Sequence, residues 1–202
     1  MQTSMKESKM YLKVDDSTFE FEIIPLTFER KDISNVFYKK NNKTLKQTFE
    51  HQRYSHLKLK LADKYKDYLE EKLGDFLRRL KEANDDNYKF FLNRYGDKKF
   101  CEFKINSHLN SKGIYCYIVE EEIKYIGRCT DDFKTRINQG YGKISPKKCF
   151  IDGQSTNCNI NSLINSTDNV KFGVYVMTDG TEIERLEKLI LNYDKPEWNK
   201  TT

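Results

Sequence analysis

No apolar run among the 202 residues approaches the roughly 20 that a membrane-spanning helix needs. The opening stretch, MQTSMKESKMYLKVDD, has no apolar core of the kind a secretory leader carries, so a cytoplasmic protein without membrane association is expected. The five cysteines (Cys101, Cys116, Cys129, Cys149 and Cys158) are odd in number and irregularly spaced, with no CxxC pair. That pattern gives neither a disulfide framework nor a zinc site and leaves reduced thiols. There is no internal repeat and no low-complexity linker. Charge of one sign is scarce too: 36 Lys+Arg against 31 Asp+Glu leave +5, which by itself is weak evidence for a polyanionic partner.

Hydrophobic residues make up only 37% of the chain, but 13% is aromatic and supplies the bulk for a core. The charge is uneven. Residues 1–100 hold 22 basic and 17 acidic side chains, whereas residues 101–202 hold 14 of each. Attraction to a polyanion is therefore expected from the N-terminal half.

In that half, alternation over residues 10–14 and 18–24 around Asp15, Asp16 and Ser17 predicts a β-hairpin. Weak helical patterns follow at 32–39 and 44–54. The spacing of Leu61, Tyr65, Tyr68, Leu69, Leu73, Phe76, Leu77 and Leu80 predicts one helix over 57–82. Its basic side, with Lys60, Lys64, Lys66, Arg78, Arg79 and Lys81, reads either as a solvated face or as a phosphate-facing surface. A short helix is expected over 87–94.

The character changes near Phe100. Strands are expected over 113–119 (GIYCYIV) and 123–127 (IKYIG), with a loop at 120–122 that pairs Val119 with Ile123, Tyr117 with Tyr125 and Tyr115 with Gly127. Tyr115, Tyr117 and Tyr125 then share one face. Opposite Tyr115 stands a glycine, which leaves room for a close approach. Aromatic packing across the strands would equally account for the tyrosines. Thr130 is the expected N-cap of a helix carrying Phe133, Arg136 and Ile137. Another helix is expected over 157–164, a strand over 170–177 and a strongly periodic helix over 182–193, stopped by Pro196.

On that last helix Ile183, Leu186, Ile190 and Tyr193 form one stripe, and Glu187 points along it while Glu182 and Glu184 point away. A carboxylate on a half-buried face must be paired with a cation, hydrogen-bonded or bound to a metal.

GIY at residues 113–115 and YIG at 125–127, followed in order by Arg136, Glu187 and the ending PEWN with Asn199, resemble the signature of the GIY-YIG nuclease superfamily. The likeness covers roughly residues 112–199, and the PxWN ending is most similar to its type II restriction and phage endonuclease members. Two spacings depart from the family. Nine residues rather than eight separate Gly127 from Arg136, and the aromatic or His that follows the arginine by four is here Tyr141, five residues on.

The resemblance implies an α+β fold for residues 101–202, a GIY-YIG catalytic domain with a small antiparallel three-stranded sheet flanked by helices. Residues 1–100 lie outside the resemblance and, from pattern and charge, are expected to form an N-terminal hairpin-and-helix extension for DNA binding or dimerisation. The resemblance also implies a phosphodiester hydrolase acting on double-stranded DNA with Mg²⁺, for which Mn²⁺ can substitute, leaving 5′-phosphate and 3′-hydroxyl ends. Restriction-type recognition, in which case a homodimer follows, stands ahead of a phage or mobile-element nuclease and of a non-catalytic DNA-binding module. Glu187 is the implied metal ligand, Arg136 the phosphate clamp, Tyr115 the acceptor of the water's proton, Tyr125 a positioning group, Tyr141 the catalytic residue in the place of the family's His or Tyr after the arginine, and Asn199 a support for the glutamate helix. Lys143, Lys147 and Lys148, in an insertion outside the family pattern, are expected DNA contacts.

Overall fold

The alternating segments assemble into one sheet. In the structure, a computed structural model that describes residues 2–6 and 8–199, six strands lie in the order β1-β2-β3-β8-β6-β7. They are β1 (Gln2–Lys6), β2 (Lys9–Val14), β3 (Ser17–Ile24), β6 (Lys112–Val119), β7 (Glu122–Cys129) and β8 (Lys171–Met177). Every neighbouring pair is antiparallel. The remaining strands, β4 (Thr27–Ile33) and β5 (Phe100–Lys104), pair with each other.

The expected small three-stranded sheet is thus corrected. β7, β6 and β8 do form an antiparallel trio, but β8 continues into the N-terminal hairpin through Glu22↔Val174, Ile23↔Gly173 and Ile24↔Phe172. The reason is apolar. Met10, Leu12, Val14 and Phe21 bury the hairpin's inner face in the same cluster as Ile114, Cys116, Ile118 and Ile126. α5 (Gly180–Tyr193) covers that cluster with Ile183, Leu186 and Ile190. Asp179 caps it by accepting from the backbone N–H of Thr181 and Glu182.

The chain forms two compact units, and neither is continuous. One comprises residues 1–31, 101–143 and 163–202; the other comprises 32–100 and 144–162. Residues 1–31, read from the sequence as part of the extension, lie in the unit that holds the GIY and YIG strands.

The second unit packs short helices around Phe37, Leu45, Phe49, Tyr54, Leu57, Leu61, Phe76 and Phe91. It contains α1 (Leu45–Phe49), α2 (Ser55–Leu61) and α3 (Leu73–Glu82), and α4 (Ser155–Ser166) begins in it. The single helix expected over 57–82 is broken into α2, a 3₁₀ turn at Lys66–Tyr68 and α3. Tertiary pairing overrides the periodicity. The Leu69 and Glu71 carbonyls accept from the N–H groups of Lys46 and Leu45 at the start of α1, and Thr44 bridges to Lys72. The backbone there turns to meet α1, and Lys72 is extended (φ −63°, ψ 137°), so the helix ladder stops. The apolar stripe survives the break, with Leu61, Tyr65, Leu73, Phe76, Leu77 and Leu80 all buried.

All five cysteines are buried, and none is joined in a disulfide. Among the described residues no helix is long and apolar enough to cross a membrane.

Candidate active site

The site grows from the β6–β7 hairpin. Its register pairs Tyr115 with Gly127 and Tyr117 with Tyr125, the two pairs expected from a loop at 120–122. Nearer the turn the expected Val119–Ile123 pair is replaced by Ile118↔Ile123 and Val119↔Glu122. The turn has two residues, Glu120 and Glu121, both at positive φ (50° and 64°), which is the backbone twist of a tight hairpin. The strand absorbs the difference as a bulge at Lys124, whose ammonium bonds Glu122 at 2.9 Å and Glu197 at 3.3 Å.

Tyr115, Tyr117 and Tyr125 stand on the face away from α5 and are almost wholly buried. The Tyr115 ring stacks on Phe172 at 5.7 Å and meets Phe133 edge-on at 6.3 Å. Its hydroxyl lies over Gly127, where a Cβ would come within 2.5 Å of it. The space left by that glycine is therefore filled by Tyr115 itself.

Arg136 arrives from a helix wound with i→i+5 bonds, the π-helix Lys134–Tyr141. It begins below Asp132, whose carboxylate accepts from the Thr135 N–H at 2.7 Å; Thr130, the expected cap, does not serve. Arg136 Nε donates to the Tyr115 hydroxyl at 3.2 Å and Nη2 donates to the Tyr141 hydroxyl at 3.4 Å. Tyr141 and Tyr125 share a hydrogen bond of 2.9 Å. Within this i→i+5 winding Tyr141, five residues after the arginine, reaches its guanidinium.

Asn138, on the same helix, clamps the backbone of Ile105, accepting from its N–H at 2.9 Å and donating to its carbonyl at 3.1 Å. No sequence signal marks it. Alternation places Tyr117 on the same face as Tyr115 and Tyr125, outside the GIY and YIG tripeptides. Its buried hydroxyl has no partner among the described residues, and its ring lies 6.2 Å from that of Tyr115 and 6.3 Å from that of Tyr141.

Burial dominates the electrostatics of the tyrosines. It pushes Tyr115, Tyr117 and Tyr125 above the ordinary phenol range, and neighbouring hydroxyls add to the shift while Arg136 opposes it. All three are neutral at physiological pH. For Arg136, burial works against the charge, but the surrounding tyrosines outweigh it and hold the guanidinium more firmly protonated than usual.

The other implied site residues lie apart from this network. Glu187 is only 16% exposed, and its Oε2 accepts from Arg128 Nη1 at 2.6 Å, with Arg128 also 3.7 Å from Glu184. Alternation puts Arg128 on the Ile114–Ile126 face, so this ion pair and the tyrosines belong to opposite faces of the same two strands.

Asn199 grips the exposed edge of β7, accepting from the Ile126 N–H at 2.9 Å and donating to its carbonyl at 2.8 Å. It ties the segment after α5 to the YIG strand and satisfies backbone groups that an edge strand leaves open. Lys143 ends one stretch of the sheet-bearing unit, whereas Lys147 and Lys148 belong to the other unit, on the 3₁₀ turn Pro146–Cys149.

Among the described residues no group of three or more His, Cys, Asp or Glu side chains gathers as a metal cage. Mg²⁺ does not require one, since it takes one or two carboxylates and keeps several waters. Glu187 offers one carboxylate, and its Oε1 has no partner among the described residues.

No family model, curated protein or solved structure matches this chain.

Proposed function

We propose that the chain is a GIY-YIG-type DNA endonuclease that hydrolyses phosphodiester bonds with Mg²⁺ or Mn²⁺ and leaves 5′-phosphate and 3′-hydroxyl ends. The observation that carries this reading is the network in which Arg136 bridges the hydroxyls of Tyr115 and Tyr141, with Tyr125 behind them. A guanidinium has five N–H donors in a rigid fork, and this one spends two of them on tyrosines. The others are left for phosphate oxygens, and the residue is exposed. The PEWN ending favours a restriction-type enzyme acting on double-stranded DNA as a homodimer.

In this reading Arg136 clamps the phosphate and Tyr115 and Tyr141 hold the clamp's direction. Burial favours a neutral Tyr115 that orients water by hydrogen bonding over one that accepts its proton. Glu187 would hold the metal; bound Mg²⁺ neutralises charge at the phosphoryl group and acidifies water. Asn199 fixes β7 against the segment that follows the glutamate helix.

A second reading, a DNA-binding module without catalysis, is favoured by one observation: the Glu187 carboxylate is already engaged by Arg128. Plasmid nicking with Mg²⁺ against EDTA, followed by sequencing of the ends, separates the two. Metal-dependent nicks with 5′-phosphates support the nuclease. Binding without nicking under any divalent ion supports the module.

A further inference from the structure

Charge divides between the two compact units far more sharply than between the two halves of the sequence. Residues 32–100 and 144–162 carry 19 Lys+Arg against 12 Asp+Glu, a net of +7. The remainder carries 17 against 19, a net of −2. Within the basic unit lies a cavity of about 600 Å³ whose lining includes Lys39, Lys40, Lys43, His51, Lys147 and Asp152.

The cavity is a fixed construction. The segment carrying Lys39, Lys40 and Lys43 runs from the 3₁₀ turn Val36–Lys39 to Thr44, which caps α1 with a reciprocal Thr44–Gln47 pair. The carbonyls of Lys40 and Lys43 accept from the N–H groups of Gly74 and Leu73 at the start of α3. Gly74 allows that approach, because a Cβ there would lie 2.1 Å from the Tyr38 carbonyl oxygen.

The one acid in the lining is already committed. Asp152 accepts from the Tyr54 hydroxyl at 2.6 Å and lies 3.6 Å from the Lys40 ammonium, which also sits 4.2 Å over the Phe150 ring. Lys39, Lys43 and Lys147 have no carboxylate partner among the described residues. His51 Nδ1 accepts from the Arg53 N–H, so Nε2 bears the proton of the neutral ring and is a donor. Burial depresses the Lys40 pKa, Asp152 opposes that shift by charge and hydrogen bond, and the like charges of Lys43 and Lys147 add to it. An anion entering the cavity would relieve that repulsion.

We propose that this cavity is a docking site for the phosphodiester backbone of double-stranded DNA, held by Lys39, Lys40, Lys43 and Lys147 with His51. A free phosphate would need the cavity alone. A field of +7 spread over the whole unit suits an extended polyanion, whose condensed counterions are released on binding. The choice of DNA rests on the nuclease reading, which supplies the same ligand; the anion chemistry of the cavity does not.

The test is fluorescence anisotropy of a labelled 30-base-pair duplex of mixed sequence across a NaCl series in EDTA, so that no cleavage occurs. The parent is compared with Lys43→Ala/Lys147→Ala and with Lys13→Ala/Lys31→Ala, a control pair in the other unit that removes the same charge away from the basic unit. Thermal melts confirm that each variant is folded. Expected is a roughly 10- to 100-fold loss of affinity near 0.1 M salt for the cavity pair. Its log–log salt slope should be shallower by about 2, at about 0.9 per phosphate contact. The control pair should stay near the parent.

A cavity pair with the parent's slope, or a parent that binds no duplex, overturns the proposal. So does inorganic phosphate that competes equally at millimolar concentration, which would mark a small-anion site. A parent that binds with the expected slope but never nicks with Mg²⁺ leaves the docking site standing and removes only the nuclease reading.

Discussion

Arg128 Nη1 and Glu187 Oε2 meet at 2.6 Å on the sheet face that α5 covers, so the carboxylate best placed for a metal has a cation as its partner. If Mg²⁺ and Arg128 compete for it, Arg128→Ala lowers the Mg²⁺ concentration for half-maximal nicking several-fold. Glu187→Ala abolishes nicking and spares duplex binding in EDTA. The pair is partly exposed, with Arg128 at 38%, so Arg128→Ala should cost no more than about 1 kcal/mol of stability. A metal titration of nicking with a parallel urea melt reads both effects.

Tyr115→Phe removes the oxygen that accepts from Arg136 Nε and keeps the ring against Phe172. The expected loss is about 10- to 100-fold in single-turnover rate, the scale of a misoriented clamp rather than of a lost base. Because burial holds Tyr115 above the ordinary phenol range, the parent and the variant should share one pH–rate shape between pH 6 and about 9. A rise with pH that vanishes in the variant would restore Tyr115 as the proton acceptor.

The same burial makes an alkaline prediction for stability. Tyr115, Tyr117 and Tyr125 have folded pKa values raised above the unfolded value of about 10. Below about pH 10 both states keep the proton and the stabilisation is intact. Above it the unfolded chain ionises first, so stability falls as pH rises. Urea midpoints should hold steady to about pH 9.5 and drop beyond it. Absorbance at 295 nm should show these phenols ionising only as the protein unfolds.

Gly127→Ala puts a methyl within 2.5 Å of the Tyr115 hydroxyl and 2.9 Å of the Tyr125 ring. Both rings are packed on all sides, so the expected cost is about 1–3 kcal/mol in urea unfolding, with loss of the Arg136 contact and of nicking. Asn199→Ala removes two hydrogen bonds to the Ile126 backbone at the sheet edge. It should cost about 1–2 kcal/mol and leave the pH profile of nicking unchanged.

Period-two alternation was enough to set Tyr115, Tyr117 and Tyr125 on one face, and period 3.6 was enough to set Glu187 on the buried stripe. The expected pairing of Tyr115 with Gly127 and Tyr117 with Tyr125 rested on a three-residue loop; the turn is shorter, and the bulge at Lys124 restores that register. Pairing with a cation was one of three fates open to that carboxylate; that the cation is Arg128 follows only from the strand's position under α5. Tyr141 shows the limit of local pattern. Its approach to Arg136 depends on π winding, which leaves no mark in hydrophobic spacing over eight residues. The same holds for α2 and α3, whose stripe reads as one helix although the backbone between them is given to α1. The three-stranded expectation failed because strand order beyond a hairpin is a tertiary choice, decided here by the apolar face of β2 and β3.

The discontinuity of the two units sets a timetable for synthesis. β3 ends at Ile24, yet its partner Phe172 in β8 lies about 150 residues later in the chain. The second unit is likewise unfinished until residue 162 has emerged. On the ribosome, the first hairpin must therefore wait with an open edge until β8 has emerged. Sheet closure is a late, long-range event of the kind that folds slowly, and the chaperone demand of the hairpin should last until then.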